Sequence, residues 1–293
     1  MGQKKLIRFE ELKTFSNVFQ NPEGMKGKWN IFFKNDNPIT LELACGKGEY
    51  TVGLSSLYPQ RNFIGIDLKG NRIWAGAKKC LQQNLTNAAF LRIQIDRITE
   101  YFTPGEIAEI WITFPDPQLR TGKAKKRLTH PKFLRLYKEI LQPDGVVHLK
   151  TDSPVLYDFT KLVIEKYNCR PHQDINDVYK EQDIPDDLKI KTHYEALDIA
   201  GSNRIHYLKF SLPESLPENS IDKEFQEYLK VYEAKVTDHL QGRFAEGIHF
   251  YINENGYVVL TEKYHLEKGF CCGMGCLHCP YNYENVPNKN VLS

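Results

Sequence analysis

Through the first two thirds of the chain, short apolar runs alternate with longer stretches in which apolar residues recur every three or four positions, with glycine or proline at many of the changes. Ile39 to Ala44 predict a strand, with Ile39, Leu41 and Leu43 on one face and Thr40, Glu42 and Ala44 on the other. The turn Cys45-Gly46-Lys47-Gly48 leads into a helix that carries Tyr50, Leu54, Leu57 and Tyr58 on one side and stops at Pro59. Asn62 to Asp67 form a second strand, and Ile73, Trp74, Ala77, Cys80 and Leu81 mark the buried stripe of a second helix. A third strand runs from Ala88 to Ile95, with Asp96 at its end. The fourth, Ile107 to Phe114, ends in a near-continuous apolar run, as in parallel strands covered on both faces. His130 and Pro131 open a helix with Phe133, Tyr137, Ile140 and Leu141 inward, since proline suits the first helical position. Pro143-Asp144-Gly145 then turn the chain into a fifth strand, Val146 to Lys150, and Ser153-Pro154 cap the next helix. Arg204 to Leu212 alternate as a late, edge-type strand. Residues 1–37 mix basic and aromatic positions without a sustained period and read as an irregular arm. The βαβα alternation predicts an α/β domain with a mostly parallel sheet and right-handed crossovers.

The proline-rich polar stretch 213–220 breaks this pattern and divides a domain at 1–212 from a smaller one at 221–293. In the smaller part Phe225, Tyr228, Leu229, Tyr232, Val236 and Leu240 predict an amphipathic helix. Ile248 to Ile252 and Tyr257 to Thr261 flank Asn253 to Gly256 as a hairpin. Four cysteines follow.

At 293 residues the chain is long enough for one large core and a small appendage, and 41% hydrophobic with 26% charged residues is an ordinary globular balance. No apolar stretch approaches the length that crosses a bilayer. The segment MGQKKLIRFEELK lacks the apolar core of a signal peptide, and Leu6 stands where a myristoylation signal needs Ser or Thr, so a cytoplasmic protein is expected. Seven cysteines, an odd number, argue against a secreted disulfide framework. The net charge of +2 says nothing about nucleic acid by itself; its distribution does.

That distribution is uneven where the chemistry concentrates. Pro115 and Pro117 forbid continuation of the fourth strand and hold Asp116 at its carboxyl end, where open α/β sheets place ligands. From Arg120 to Lys138 there are eight Lys or Arg and no Asp or Glu, a local field that attracts phosphate or simply forms a solvated face. Gly46 and Gly48 allow a ligand close to the backbone, and Asp67 at the next strand's end suits two ribose hydroxyls. Thr51 stands where the dinucleotide fingerprint has its third glycine, which disfavours a nicotinamide-dependent oxidoreductase. Glu42, inside the first strand, calls for a partner because carboxylates are seldom buried alone, and a cationic ligand would provide one.

LELACGKGEY (41–50), FIGID (63–67), FPDP with its basic tail, LKTD (149–152) and Thr192-x-x-Glu195, in this order and spacing, resemble the tRNA (guanine-N7)-methyltransferase family over about residues 1–212. The resemblance implies a Rossmann-like, S-adenosylmethionine-dependent methyltransferase with a seven-stranded sheet whose last strand is antiparallel, acting on the variable-loop guanine of tRNA. It places Glu42, Gly46, Gly48, Asp67 and Asp96 at cofactor positions and Asp116 at the catalytic and cofactor positions. Arg120, Asp152, Thr192 and Glu195 match substrate-side positions, and Lys123, Lys125, Lys126 and Arg127 the RNA-contacting segment. Gln118 departs from the family's tryptophan, Arg120 from its usual lysine, and Ala44 from the first glycine of the cofactor turn. Read from the residues alone, Thr192 and Glu195 sit in a polar loop, and Asp152 at most helps to cap a helix. A non-catalytic RNA-binding protein on the same fold is the competing reading.

Cys271, Cys272, Cys276 and Cys279 fall within nine residues, beside His265 and His278. The Cys276 to Cys279 spacing fits a zinc knuckle of four thiolates or of three with one imidazole; iron–sulfur or redox use and unliganded cysteines in a packed hairpin are the other readings. The segment resembles a small cysteine-rich bacterial domain of unknown function. Cys45, Cys80 and Cys169 read as small core residues.

Overall fold

The computed structural model describes residues 2–118, 121–192, 195, 204–217, 222–230, 246–254, 258–268 and 276–282. The chain forms two compact units, Met1–Asp222 and Lys223–Ser293. The first is built on an eight-stranded sheet: β1 (Val18–Gln20), β2 (Ile39–Leu43), β3 (Asn62–Ile66), β4 (Ala88–Arg92), β5 (Ile107–Thr113), β6 (Leu141–Thr151), β7 (Arg170–Ile175) and β8 (His206–Ser211), in the order β1-β4-β3-β2-β5-β6-β8-β7. β1 to β6 pair in parallel, and β8 runs antiparallel to β6 and β7.

β2 and β3 are buried at every position, as expected of parallel strands covered by helices on both faces. The helices are α1 (Gly2–Leu12), α2 (Trp29–Phe33), α3 (Glu49–Leu57), α4 (Gly70–Gln82), α5 (Pro131–Ile140), α6 (Pro154–Lys166) and α7 (Asp186–Lys189). The expected Ser153 cap forms, accepting from the Leu156 N–H, and at the expected start of α5 the His130 side chain accepts from the Lys132 N–H.

Four expectations are corrected here. The sheet has eight strands because β1 adds a parallel edge to β4. The N-terminal segment is therefore ordered rather than irregular: α1 lies along α4, with Trp74 donating to Glu11 at 2.5 Å and the Arg8 guanidinium 4.6 Å above the Trp74 ring. β8 is an interior strand, because β7 pairs beyond it. Five of the six β7 residues are exposed, so it has no apolar run to announce it. Pro143 to Gly145 lie within β6 as the irregularity where its pairing with β5 shifts register.

In the second unit, residues 223–230 are helical, with Phe225 and Leu229 buried; Tyr232, Val236 and Leu240 lie outside the described residues. Phe250–Ile252 and Val258–Leu260 pair antiparallel as the expected hairpin, followed by the helix Glu262–Lys268. Tyr251 Oη and His278 Nε2 are 3.0 Å apart, and the Cys279 N–H donates to the Cys276 carbonyl in a tight turn. Cys271 and Cys272 lie outside the described residues. Among the described residues no three of His, Cys, Asp and Glu are grouped to hold a metal, and no helix is long and apolar enough to cross a membrane.

Candidate active site

In strand order, β2 has β3 on one side and β5 on the other, and the crevice outside the carboxyl ends of such diverging strands is where α/β sheets bind ligands. The turn after β2 and the turn after β5 are therefore neighbours. A cavity there is lined by Ala44, Cys45, Gly46, Lys47, Glu49, Arg72, Thr113, Phe114 and Thr192.

Backbone geometry shapes its floor. Ala44 (φ 56°), Phe114 (φ 45°) and Gln118 (φ 48°) all adopt the left-handed region, a costly conformation for side chains with a Cβ. Gly48 sits at φ 72°, and a Cβ there would stand 2.4 Å from the Phe90 ring. Gly76 of α4 is needed for a different reason: a Cβ would meet the Lys47 carbonyl at 2.5 Å, so only glycine lets this helix close on the turn. Asp67, at the end of β3, accepts from the Gly46 N–H at 3.0 Å and from the Lys69 N–H at 2.8 Å. It thereby fixes the glycine turn to the neighbouring strand.

Glu42 is buried one layer behind the cavity. Its carboxylate accepts from the Thr51 N–H (2.7 Å), the Thr51 hydroxyl (2.6 Å) and the Thr113 hydroxyl (3.0 Å). The protein itself thus supplies the partners that the sequence left open, and Thr51, in place of a third glycine, is one of them. Burial outweighs these donors and pushes the Glu42 carboxyl up to about 7. A cation bound nearby would favour its charged form. Asp96 lies in a 3₁₀ turn (Ile95–Glu100), exposed, and forms an ion pair with Lys132 of α5. It is farther along the chain than the strand end where the sequence put it.

Asp116 is exposed beyond the end of β5, and one of its oxygens accepts from the Gln118 N–H at 3.0 Å. The basic segment that follows forms a 3₁₀ helix, Thr121–Lys126, from which Lys123, Lys125 and Lys126 are exposed. Arg127 parts from them: it is 1% exposed. Arg120 lies outside the described residues.

Thr192 and Glu195 are not in a solvated loop; both are buried. The Thr192 N–H donates to the Glu195 carboxylate and the Glu195 N–H donates to the Thr192 hydroxyl, a capping box whose Thr-x-x-Glu signature was present in the sequence. Glu195 also accepts from the Tyr179 hydroxyl and pairs with Lys150 at 2.9 Å. Lys150, fully buried at the end of β6, donates in addition to the carbonyls of Leu188 (2.9 Å) and Ile190 (3.1 Å). Burial lowers its pKa and Glu195 opposes that shift. This pair, which the sequence reading missed, anchors the segment that brings Thr192 to the cavity. Asp152 is exposed just before the Ser153 cap. Arg72 and Lys47, also missed, line the cavity from α4 and the turn.

A parallel sheet with an antiparallel strand near one edge, a glycine turn at its crevice and acids beyond the ends of β3 and β5 are those of a Rossmann-like, S-adenosylmethionine-dependent methyltransferase. A solved 16S rRNA methyltransferase, KamB, shares the fold, with a TM-score of 0.51 at 13% identity over 66% of this chain and 96% of that one. Residues 36–207 match a putative methyltransferase family, and residues 240–285 match a family of unknown function. The tRNA (guanine-N(7)-)-methyltransferase of Bacteroides thetaiotaomicron is 43% identical over 239 residues, 78% of this chain and 94% of that protein. That of Porphyromonas gingivalis is 46% identical over 215 residues, 69% and 87% of the two chains. The chain belongs to the tRNA (guanine-N(7)-)-methyltransferase family.

Proposed function

We propose that this protein transfers a methyl group to N7 of the variable-loop guanine of tRNA, in the cytoplasm, with Asp116 stabilising the charge that develops on the purine. The observation that supports this reading is that the exposed Asp116 follows Thr113 and Phe114, which line the glycine-turn crevice, and precedes a 3₁₀ helix whose Lys123, Lys125 and Lys126 are exposed. S-adenosylmethionine, when bound, supplies an electrophilic methyl on a sulfonium. The residues at the crevice fit such a group: Gly46 leaves open space above the backbone, Glu49 lines the cavity, Asp67 holds the Gly46 N–H, and Glu42 lies behind the cavity, acids suited to a cation.

Guanine N7 has a free lone pair and no proton, so no base is required, and the protein contributes positioning and charge. Asp116, oriented by the Gln118 N–H, faces the positive charge that grows on the purine as the new bond forms. Lys123, Lys125 and Lys126, with Arg120, hold phosphates and offset the cost of displacing the base from its tertiary contacts, on the order of a few kcal/mol. Asp152, Thr192 and Glu195 act on the substrate side, and Asp96 on the cofactor side. Residues 221–293 form an appended domain after the 213–220 linker.

The test is incubation with unmodified tRNA and methyl-labelled cofactor, followed by mapping of the product. Label at N7 of the variable-loop guanine is expected. Binding of tRNA with no label in it would favour a non-catalytic RNA-binding protein.

A further inference from the structure

We propose that Arg127 is a positioning residue that clamps the loop bearing Asp116, rather than a phosphate contact like the lysines beside it. The proposal rests on the methyl-transfer reading above. Four exposed or half-exposed positions would be expected of an RNA-binding run, but Arg127 is buried while Lys123, Lys125 and Lys126 project outward.

Its guanidinium is used inward. Nε donates to the Pro117 carbonyl and Nη2 to the Gln118 carbonyl, both at 3.2 Å, and the group lies 4.5 Å from the centre of the Phe159 ring of α6. The planar fork can engage two successive carbonyls while stacking on an aromatic face, which an ammonium cannot do. The Arg127 backbone is fixed as well, its N–H donating to Ala124 and its carbonyl accepting from His130. The contacts form a relay: α6 holds Arg127, Arg127 holds the Pro117 and Gln118 carbonyls, and the Gln118 N–H holds the Asp116 carboxylate. Gln118 also needs external support, because its φ of 48° is disfavoured for a residue with a side chain. Without the clamp the loop relaxes and Asp116 loses its fixed aim, which is what electrostatic stabilisation requires.

Single-turnover methylation of tRNA at saturating concentrations, with tRNA affinity measured across salt, separates the two roles in Arg127→Lys and Lys126→Gln. Arg127→Lys is expected to slow transfer at least about tenfold, with tRNA affinity within about threefold and an unchanged salt slope. Lys126→Gln is expected to weaken binding and flatten the slope. An Arg127→Lys protein that transfers at the wild-type rate once saturated, whether or not it binds tRNA more weakly, overturns the proposal. In the Asp116→Asn background the same change should add less than about a threefold further loss, because residues that act through one another are not additive; a full independent loss also overturns it. Phe159→Leu serves if Arg127→Lys does not fold: a several-fold slower transfer at normal tRNA affinity supports the clamp, and a wild-type rate overturns it. Hydrogen exchange at the Gln118 amide should accelerate in Arg127→Lys, and unchanged exchange counts against the clamp. That readout needs no activity, so an inactive wild-type protein would sink the functional reading while exchange still tests the clamp.

Discussion

Replacing Glu42 with glutamine separates the cost of burying its charge from the benefit of its hydrogen bonds. In the folded protein the carboxyl is raised from 4.5 to about 7, by burial first, against three donors from Thr51 and Thr113. A raised carboxyl means that the folded state holds a proton the unfolded state has released. Its contribution is therefore full below about pH 4.5, declines as pH rises, and is constant above about pH 7. The difference between those two values corresponds to about 3 kcal/mol. Glutamine keeps the shape, offers its carbonyl to Thr51 and its amide to the Thr113 hydroxyl, and does not titrate. In urea unfolding at pH 5, 6, 7 and 8, the stability of Glu42→Gln relative to wild type should improve progressively, by about 2–3 kcal/mol across the range, since part of the loss already falls below pH 5. Parallel pH profiles for the two proteins would show that Glu42 is not a buried acid with a raised pKa, and the reasoning would fail.

Three further outcomes follow from the geometry. Lys150→Met should destabilise the protein by about 3–5 kcal/mol, because Glu195 is left buried without its cation, and adding Glu195→Gln should recover part of the loss; a cost below about 1 kcal/mol in urea unfolding would contradict this. Ala44→Gly should raise stability by about 0.5–1 kcal/mol, since relief of the left-handed conformation, about 1–2 kcal/mol, exceeds glycine's extra unfolded-state entropy; a destabilised variant in the same assay would count against strain at that turn. Replacing Lys123, Lys125 and Lys126 together with glutamine should lower the slope of log affinity for tRNA against log salt by about 2–3, and an unchanged slope would remove this segment from the RNA interface.

What could be read from the sequence were features with a local cause. The apolar runs of β2, β3 and the end of β5, the prolines that stop β5, the start of α5 after His130 and the cap at Ser153 each rest on residues within a few positions. β7 was missed because five of its six residues face solvent, and α1 because only a narrow stripe around Phe9 and Leu12 packs inward while Leu6 and Ile7 stay exposed. The long-range polar partners were the larger gap. Lys150 and Glu195 are 45 residues apart, and a lysine in a strand gives no sign that it will be buried. Arg127 looks the same as its neighbours until α6 is placed beneath it. The Thr192-x-x-Glu195 capping signature was legible, but its burial against Lys150 was not.

The most direct test of the central proposal is single-turnover transfer by Asp116→Asn at saturating tRNA and cofactor, with cofactor affinity measured alongside. A fall of about 10²–10³ in the transfer rate, with cofactor affinity changed only a few-fold, is expected if Asp116 carries the developing purine charge. Transfer at close to the wild-type rate would contradict that role.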